Sequence, residues 1–211
     1  PSDDFILVGA HHDAKLLQTA PDFQGANDGA SGVGALLAMI RAVADVARKE
    51  PLPVGFRFVF FDGEEALLAY SDTDGFLGSR HEADVMERDG SLRHCRAMIL
   101  LDMIGDRDLH VAFPANSNGT LVAWALAEAR ESGVSEFFSR GSLTVRDDDE
   151  AFAKKGVPTI NFIDFDYGPD NLYWHSSADT LDKIAPESIA IAANLALRLA
   201  WRVAAHKGDL P

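Results

Sequence analysis

Residues 56–65 read Phe-Arg-Phe-Val-Phe-Phe-Asp-Gly-Glu-Glu. The apolar run Phe56–Phe61 has the composition of a buried strand, and it stops abruptly on carboxylates. Two adjacent carboxylates, Glu64 and Glu65, repel each other and lose solvation at the end of such a strand unless a cation compensates. The stretch therefore predicts a buried strand whose carboxyl end carries chemistry.

The same pattern recurs outward from it. Phe5–Gly9, Ala97–Leu101, Leu109–Ala112 and Thr159–Ile163 are short apolar runs bounded by Gly, Asp or Pro, and read as further strands. Helical spacing separates them: Ala30–Arg48, with Val33, Leu36, Leu37, Ile40, Val43 and Val46 on one face, then Thr120–Ser132 and Pro186–Ala205. Pro186 suits a first helical turn, where its missing N–H costs nothing. Shorter helices are expected at Gly78–Arg88 and Asp148–Lys155, the second closed by Gly156. Alternating strands and helices predict an α/β three-layer sandwich with a mixed, mostly parallel central sheet. In such sheets function gathers in the crevice at the carboxyl ends of the strands.

Five residues fall where that crevice would be: His11 after the first strand, Asp28 before the first long helix, Glu65, Asp102 after Ala97–Leu101, and His175 in Tyr-Trp-His-Ser. Imidazole and carboxylate oxygen together suit zinc or a similar divalent cation. Glu64 would be the spare carboxylate that hydrolytic and transfer metal sites use to move protons. Asp13 would take the second N–H of the His11 ring, whereas His12 points the opposite way along an extended segment. Each signal also has a plainer reading. His11–Asp13 could be a surface turn, Asp28 a helix cap, His175 a solvated loop residue, and Asp147–Glu150 a solvated helix start favoured by the helix dipole. Gly25–Gly32 lacks the spacing of a phosphate loop, and Ser31 is not in a nucleophile elbow.

Composition bounds the function. The 211 residues suit a single domain spanning 1–211, and 47% of them are hydrophobic. A net charge of −14 with no basic stretch to offset it argues against nucleic acid as a partner. No uninterrupted apolar run reaches the roughly 18–20 residues of a membrane span, so none is expected. The single cysteine, Cys95, excludes an intrachain disulfide and a thiolate cluster, and its strand context argues against a nucleophilic role. Pro1 is not an initiator residue, which leaves room for a leader removed before it. Oligomeric state is not legible.

The ordered set His-x-Asp, Asp, Glu-Glu, Asp, His resembles the zinc-dependent aminopeptidases of the M28 type and their relatives, the zinc glutaminyl cyclases, from Phe5 to about Ser188. The resemblance implies the zinc aminopeptidase fold, without the helix and strands that precede the first motif in that family. It also implies peptide N-termini as substrates and, by family habit, a secreted or periplasmic location. In the aminopeptidase branch two zincs are implied, with Asp28 bridging, Glu65, His11, Asp102 and His175 serving individual ions, and Glu64 as base. Several stretches are more similar to the cyclases: His11-His12-Asp13-Ala14-Lys15, the segment Leu67–Leu77 with Asp74 inside it, Leu100–Gly105, Asp147-Asp148 ahead of Gly156-Val157-Pro158, and Trp174-His175. That branch implies one zinc on Asp28, Glu65 and His175, a proton-handling network of Glu64, Asp102 and Asp147, and Trp174 walling the substrate pocket. Tyr70, a second substrate-binding candidate, stands where cyclases commonly have tryptophan, and the loop from Asp164 to Tyr173 is a few residues longer than in animal cyclases. The expected activity is conversion of N-terminal glutamine to pyroglutamate with release of ammonia. Aminopeptidase hydrolysis is the alternative, and a catalytically silent binding domain on the same fold is a third reading.

Overall fold

The computed structural model describes residues 3–208; Pro1, Ser2 and the last three residues lie outside the described residues. Four strands form the central sheet: β1 (Phe5–His11), β2 (Gly55–Phe61), β3 (Cys95–Asp102) and β6 (Thr159–Ile163), in the order β2-β1-β3-β6. All three pairings in it are parallel. The sheet is thus parallel rather than mixed, because every return between its strands runs through a helical crossover rather than a tight hairpin. A second, two-stranded parallel sheet joins β4 (Val111–Phe113) to β5 (Phe138–Arg140). Antiparallel pairing appears as an isolated bridge between Asp106 and Ile184.

Three sequence expectations shift here. β2, read as a buried strand, lies at the edge of the sheet, and only Phe61 of it is buried. The strand expected at Leu109–Ala112 begins only at Val111, because the His110 N–H donates to Asp164 Oδ2 at 2.7 Å and leaves the ladder. The three residues of β5 are too few to show a period of two. The helices are α1 (Ala30–Ala47), α2 (Leu77–Asp89), α3 (Gly119–Glu131), α4 (Asp149–Ala153) and α5 (Pro186–Ala205). Asn118 caps α3, its Oδ1 accepting from the N–H groups of Thr120 and Leu121. Gly156, at φ 85, ends the turn after α4 as expected. α4 is shorter than its sequence pattern at both ends: Asp148 stands just before it without a side-chain cap, and Lys154 just after it.

Alternation along the buried strands makes the three layers. Ile6, Val8 and Ala10 share one core with Leu36 and Met39 of α1 and Leu195 and Leu199 of α5. Phe5 and Leu7 face the other way, toward Ala83 and Met86 of α2 and Phe152 of α4. By length and composition α1 and α5 could each cross a bilayer, but here both contribute to the first core.

Helix α1 lies unusually close to the sheet. A Cβ on Gly32 would sit 2.3 Å from the Leu101 carbonyl oxygen and 2.8 Å from Ala10 Cβ. Gly32→Ala should therefore lower stability by about 1–3 kcal/mol through overpacking, despite the gain of about 1 kcal/mol in helix propensity. Chemical denaturation measures this; an unchanged midpoint would show that the helix can shift freely.

The strand order also creates the site. From β1 the chain passes to β2 on one side, then crosses to β3 on the other. The carboxyl ends of β1 and β3 therefore flank a topological switch point, where open α/β sheets form their crevice.

Candidate active site

His11 is the last residue of β1 and Asp102 the last of β3. The switch point brings them together, with His11 Nε2 3.2 Å from Asp102 Oδ1. The same nitrogen lies 3.2 Å from Asp28 Oδ1, and Asp28 Oδ2 lies 3.3 Å from His175 Nε2. His175 Nε2 is in turn 3.1 Å from Glu65 Oε1. Two trios result, His11–Asp28–Asp102 and Asp28–Glu65–His175, and in each the ligand atoms lie within 4.8 Å of one another. Asp28 is common to both.

The fold rejects the plainer readings. The cap of α1 is Gly29, at φ 94, and no side chain caps that helix, so Asp28 is free to face the two histidines. A Cβ on Gly29 would lie 3.0 Å from His11 Cε1, so the glycine lets the loop pass against the ring. His11 is buried, and His175 is held at φ 50, an uncommon conformation for a residue with a side chain. Asp28 Oδ2 is buried, and its contact is with the His175 ring at 3.3 Å. Three carboxylates and two imidazoles around such an oxygen are a donor set that fits a divalent cation.

Neighbouring groups set this geometry. His11 Nδ1 lies 3.2 Å from the Asp13 carbonyl oxygen, which fixes the ring and turns Nε2 toward the carboxylates. The Asp13 carboxylate accepts the N–H groups of Glu64 and Glu65 at 3.2 and 3.1 Å, tying the end of β1 to the turn after β2. Asp179 accepts the N–H groups of Asn27 and Asp28 at 2.8 and 3.1 Å, and Tyr167 donates to it at 2.8 Å. Asp179 was missed in the sequence; its only local signal is an acid four residues after His175. Asn27 Oδ1 accepts the Gly105 N–H at 2.7 Å, stitching the same loop to the segment after β3. His12 is exposed, as its alternation predicts.

Asp147 joins the site by a route that corrects the solvated-helix reading. Asp147, Asp148 and Asp149 are all buried, and only Glu150, paired with Arg146 and Lys154, keeps partial exposure. Asn161 Nδ2 of β6 donates to Asp147 Oδ2 at 2.7 Å, and Thr159 donates to Asp149 Oδ2 at 2.8 Å. The packing of this segment against β6 buries three acids that a linear reading leaves in solvent.

A cavity of about 260 Å³ is lined by Glu64, Asp102 and Asp147 together with Asp28, Glu65 and His175. Tyr70, Ile163, Phe165 and Trp174 supply its apolar walls, with Trp174 stacked on His175 at 4.0 Å between ring centroids. Four larger surface hollows among the described residues contain none of the five candidate ligands. Burial, then the charge of Asp147, pushes Glu64 up to about 11. Burial, then the charge of Asp102, holds Asp147 well above the carboxylate range, and burial raises Asp102 against its bond to His11. Burial alone would lower the two histidines, but the carboxylates around them raise both, His175 to about 9. Asp28 is depressed, because its bonds to His11 and His175 outweigh burial. Cys95 is buried and its thiol pushed up to about 12, which removes it as a nucleophile.

The family model described as peptidase family M28 matches residues 1–200. A glutaminyl-peptide cyclotransferase-like protein of Mus musculus is 27% identical over 210 residues, covering 87% of this chain and 53% of the relative. The chain thus spans about half the length of the curated relatives it matches. The crystal structure of an Acidobacteriales bacterium glutaminyl cyclase superposes with a TM-score of 0.87 at 37% identity, over 96% of this chain and 70% of that one. A leucine aminopeptidase precursor from Bacteroides thetaiotaomicron shares the fold, with a TM-score of 0.77 at 24% identity over 95% and 72% of the two chains.

Proposed function

The chain belongs to peptidase family M28, and from that premise we propose that it is a zinc-dependent glutaminyl cyclase acting on peptide N-termini. The observation that carries this reading is the pairing, across one small cavity, of a ligand trio with three buried carboxyl groups, Glu64, Asp102 and Asp147, of which Asp102 alone is in an ion pair among the described residues, with His11. Its similarity to a bacterial glutaminyl cyclase points the same way.

Asp28, Glu65 and His175 would hold the ion. When bound, a divalent cation supplies positive charge that polarises the γ-carboxamide carbonyl and draws the neighbouring carboxyl groups down toward ionisation. Glu64 takes a proton from the α-amine as the nitrogen attacks the carboxamide carbon and the ring C–N bond forms. It then returns that proton to the departing nitrogen as the second C–N bond breaks and ammonia leaves. Asp102 and Asp147 keep Glu64 within a set of carboxyl groups that share protons and titrate as a unit. Trp174 and Phe165 wall the cavity, holding the chain of the glutamine bent toward its own amine, so the reaction gains from enforced proximity.

A two-zinc aminopeptidase is the second reading, favoured by one observation: the His11–Asp28–Asp102 trio is as well formed as the other. Ammonia released from Gln-peptides, amino acid released from Leu-amide, and zinc per chain separate the two. Ammonia release with one zinc is expected. Leu-amide cleavage with two zincs and no ammonia would replace the cyclase reading with the peptidase one.

A further inference from the structure

The segment Leu67–Leu77 contributes no ligand, yet it is built with care. Asp74 accepts the N–H groups of Leu67, Leu68 and Ala69, closing the loop on itself. Arg80 of α2 donates to the Ser71 carbonyl at 2.6 Å and anchors the loop from outside. The loop carries Tyr70, whose ring stacks on Phe76 at 4.8 Å. At Gly75, φ is +83 and a Cβ would lie 2.6 Å from the Tyr70 ring, so only glycine lets the backbone pass so close.

The product of this construction is the position of one hydroxyl. Tyr70 donates to Glu65 Oε2 at 2.9 Å. Lys15, from the loop after β1, reaches the same oxygen at 3.2 Å, with its ammonium 4.8 Å from the Tyr70 ring centroid. Glu65 Oε1 is left facing His175. One carboxylate oxygen is engaged twice, and the other is turned toward the ligand trio.

We propose that Lys15 and Tyr70 are positioning residues that tether Glu65 Oε2, so that Glu65 offers a metal ion the single oxygen Oε1. The inference rests on Glu65 being a ligand, as in the proposed function. Its chemistry is plain. A carboxylate that is free to rotate can grip a cation with both oxygens and fill a coordination position, whereas a tethered one leaves that position open for a substrate carbonyl. Tyrosine reaches Oε2 through an O–H at the end of its ring, so Tyr70 and Lys15 together make a two-donor clamp.

The test uses metal alone. Wild type, Tyr70→Phe, the Lys15→Met/Tyr70→Phe double variant and Lys15→Arg are stripped and loaded with cobalt(II), whose d–d absorption weakens as coordination number rises. The double variant should lose several-fold in d–d intensity, and Lys15→Arg should keep the wild-type spectrum. Tyr70→Phe, which changes no charge and keeps the ring stack, should weaken zinc binding about 10-fold, the lower end of the effect of removing a ligand's outer partner. An unchanged spectrum in the double variant overturns the tether while leaving the ligand set standing. A wild type that binds no metal overturns the ligand set and the tether with it.

Discussion

Glu64→Gln is expected to lower kcat for ring closure of N-terminal glutamine by about 10²–10⁴-fold, the usual contribution of a positioned general base, with zinc content unchanged. The reasoning is local. Glu64 is 7% exposed and belongs to neither ligand trio, so its loss should not release metal. The Lys15 ammonium is committed to Glu65. Glutamine keeps the shape of the side chain, and the Asp13 carboxylate still holds the backbone N–H of residue 64. What disappears is the capacity to accept and return a proton. Fold retention is checked by the unfolding midpoint, which should not fall, because the substitution keeps the side chain's shape and removes an ionisable group from a pocket already crowded with acids. Turnover within a few-fold of wild type would take Glu64 out of the mechanism.

The second large effect concerns metal-free protein and pH. With the metal chelated, stability is expected to fall as pH rises from 5 to 9. Burial first, against the Ser79 side chain, pushes Asp148 up to about 7. Burial, against the Thr159 hydroxyl, holds Asp149 at about 6. His175, with Asp28 and Glu65 overcoming burial, stands at about 9. Each of these groups binds its proton more tightly folded than unfolded. Its contribution is therefore complete below the unfolded pKa and is lost as pH climbs through the folded one. Asp28 and Asp13, which are depressed, titrate below this window and do not oppose the trend. One unit on each of two such groups is worth about 3 kcal/mol. At about 2–4 °C per kcal/mol for a chain of this size, Tm should fall by roughly 6–12 °C. Zinc should restore more stability at pH 8.5 than at pH 5.5, because the ligands must shed protons to bind it. Calorimetry of chelated and zinc-loaded protein at the two pH values measures both effects. A chelated Tm that is flat or rises with pH would show that the buried acids are ionised without cost.

The parts of the site that were legible in the sequence share a physical origin. Glu64, Glu65 and Asp102 directly follow strongly apolar strands, where an uncompensated charge is expensive, so their local context betrays them. His11 ends β1 by the same logic. Asp147 behaved differently: four acids in a row look solvated, and only the packing of that segment against β6 shows three of them buried. Asp179 and Asn27 were invisible because they act through backbone N–H groups far away in the chain, which no spacing rule records.

By itself, the sequence determined the α/β alternation, the helices and the residue types of a candidate divalent-metal site, because periodicity and the cost of buried charge are local properties. Only the tertiary structure decided which of those residues meet. The order β2-β1-β3-β6 places the ends of β1 and β3 side by side, and that adjacency, not any motif, sets His11 against Asp102 and leaves Asp28 between two histidines. Strand order arises from how helices cover both faces of the sheet, a property of the whole chain that no local stretch contains.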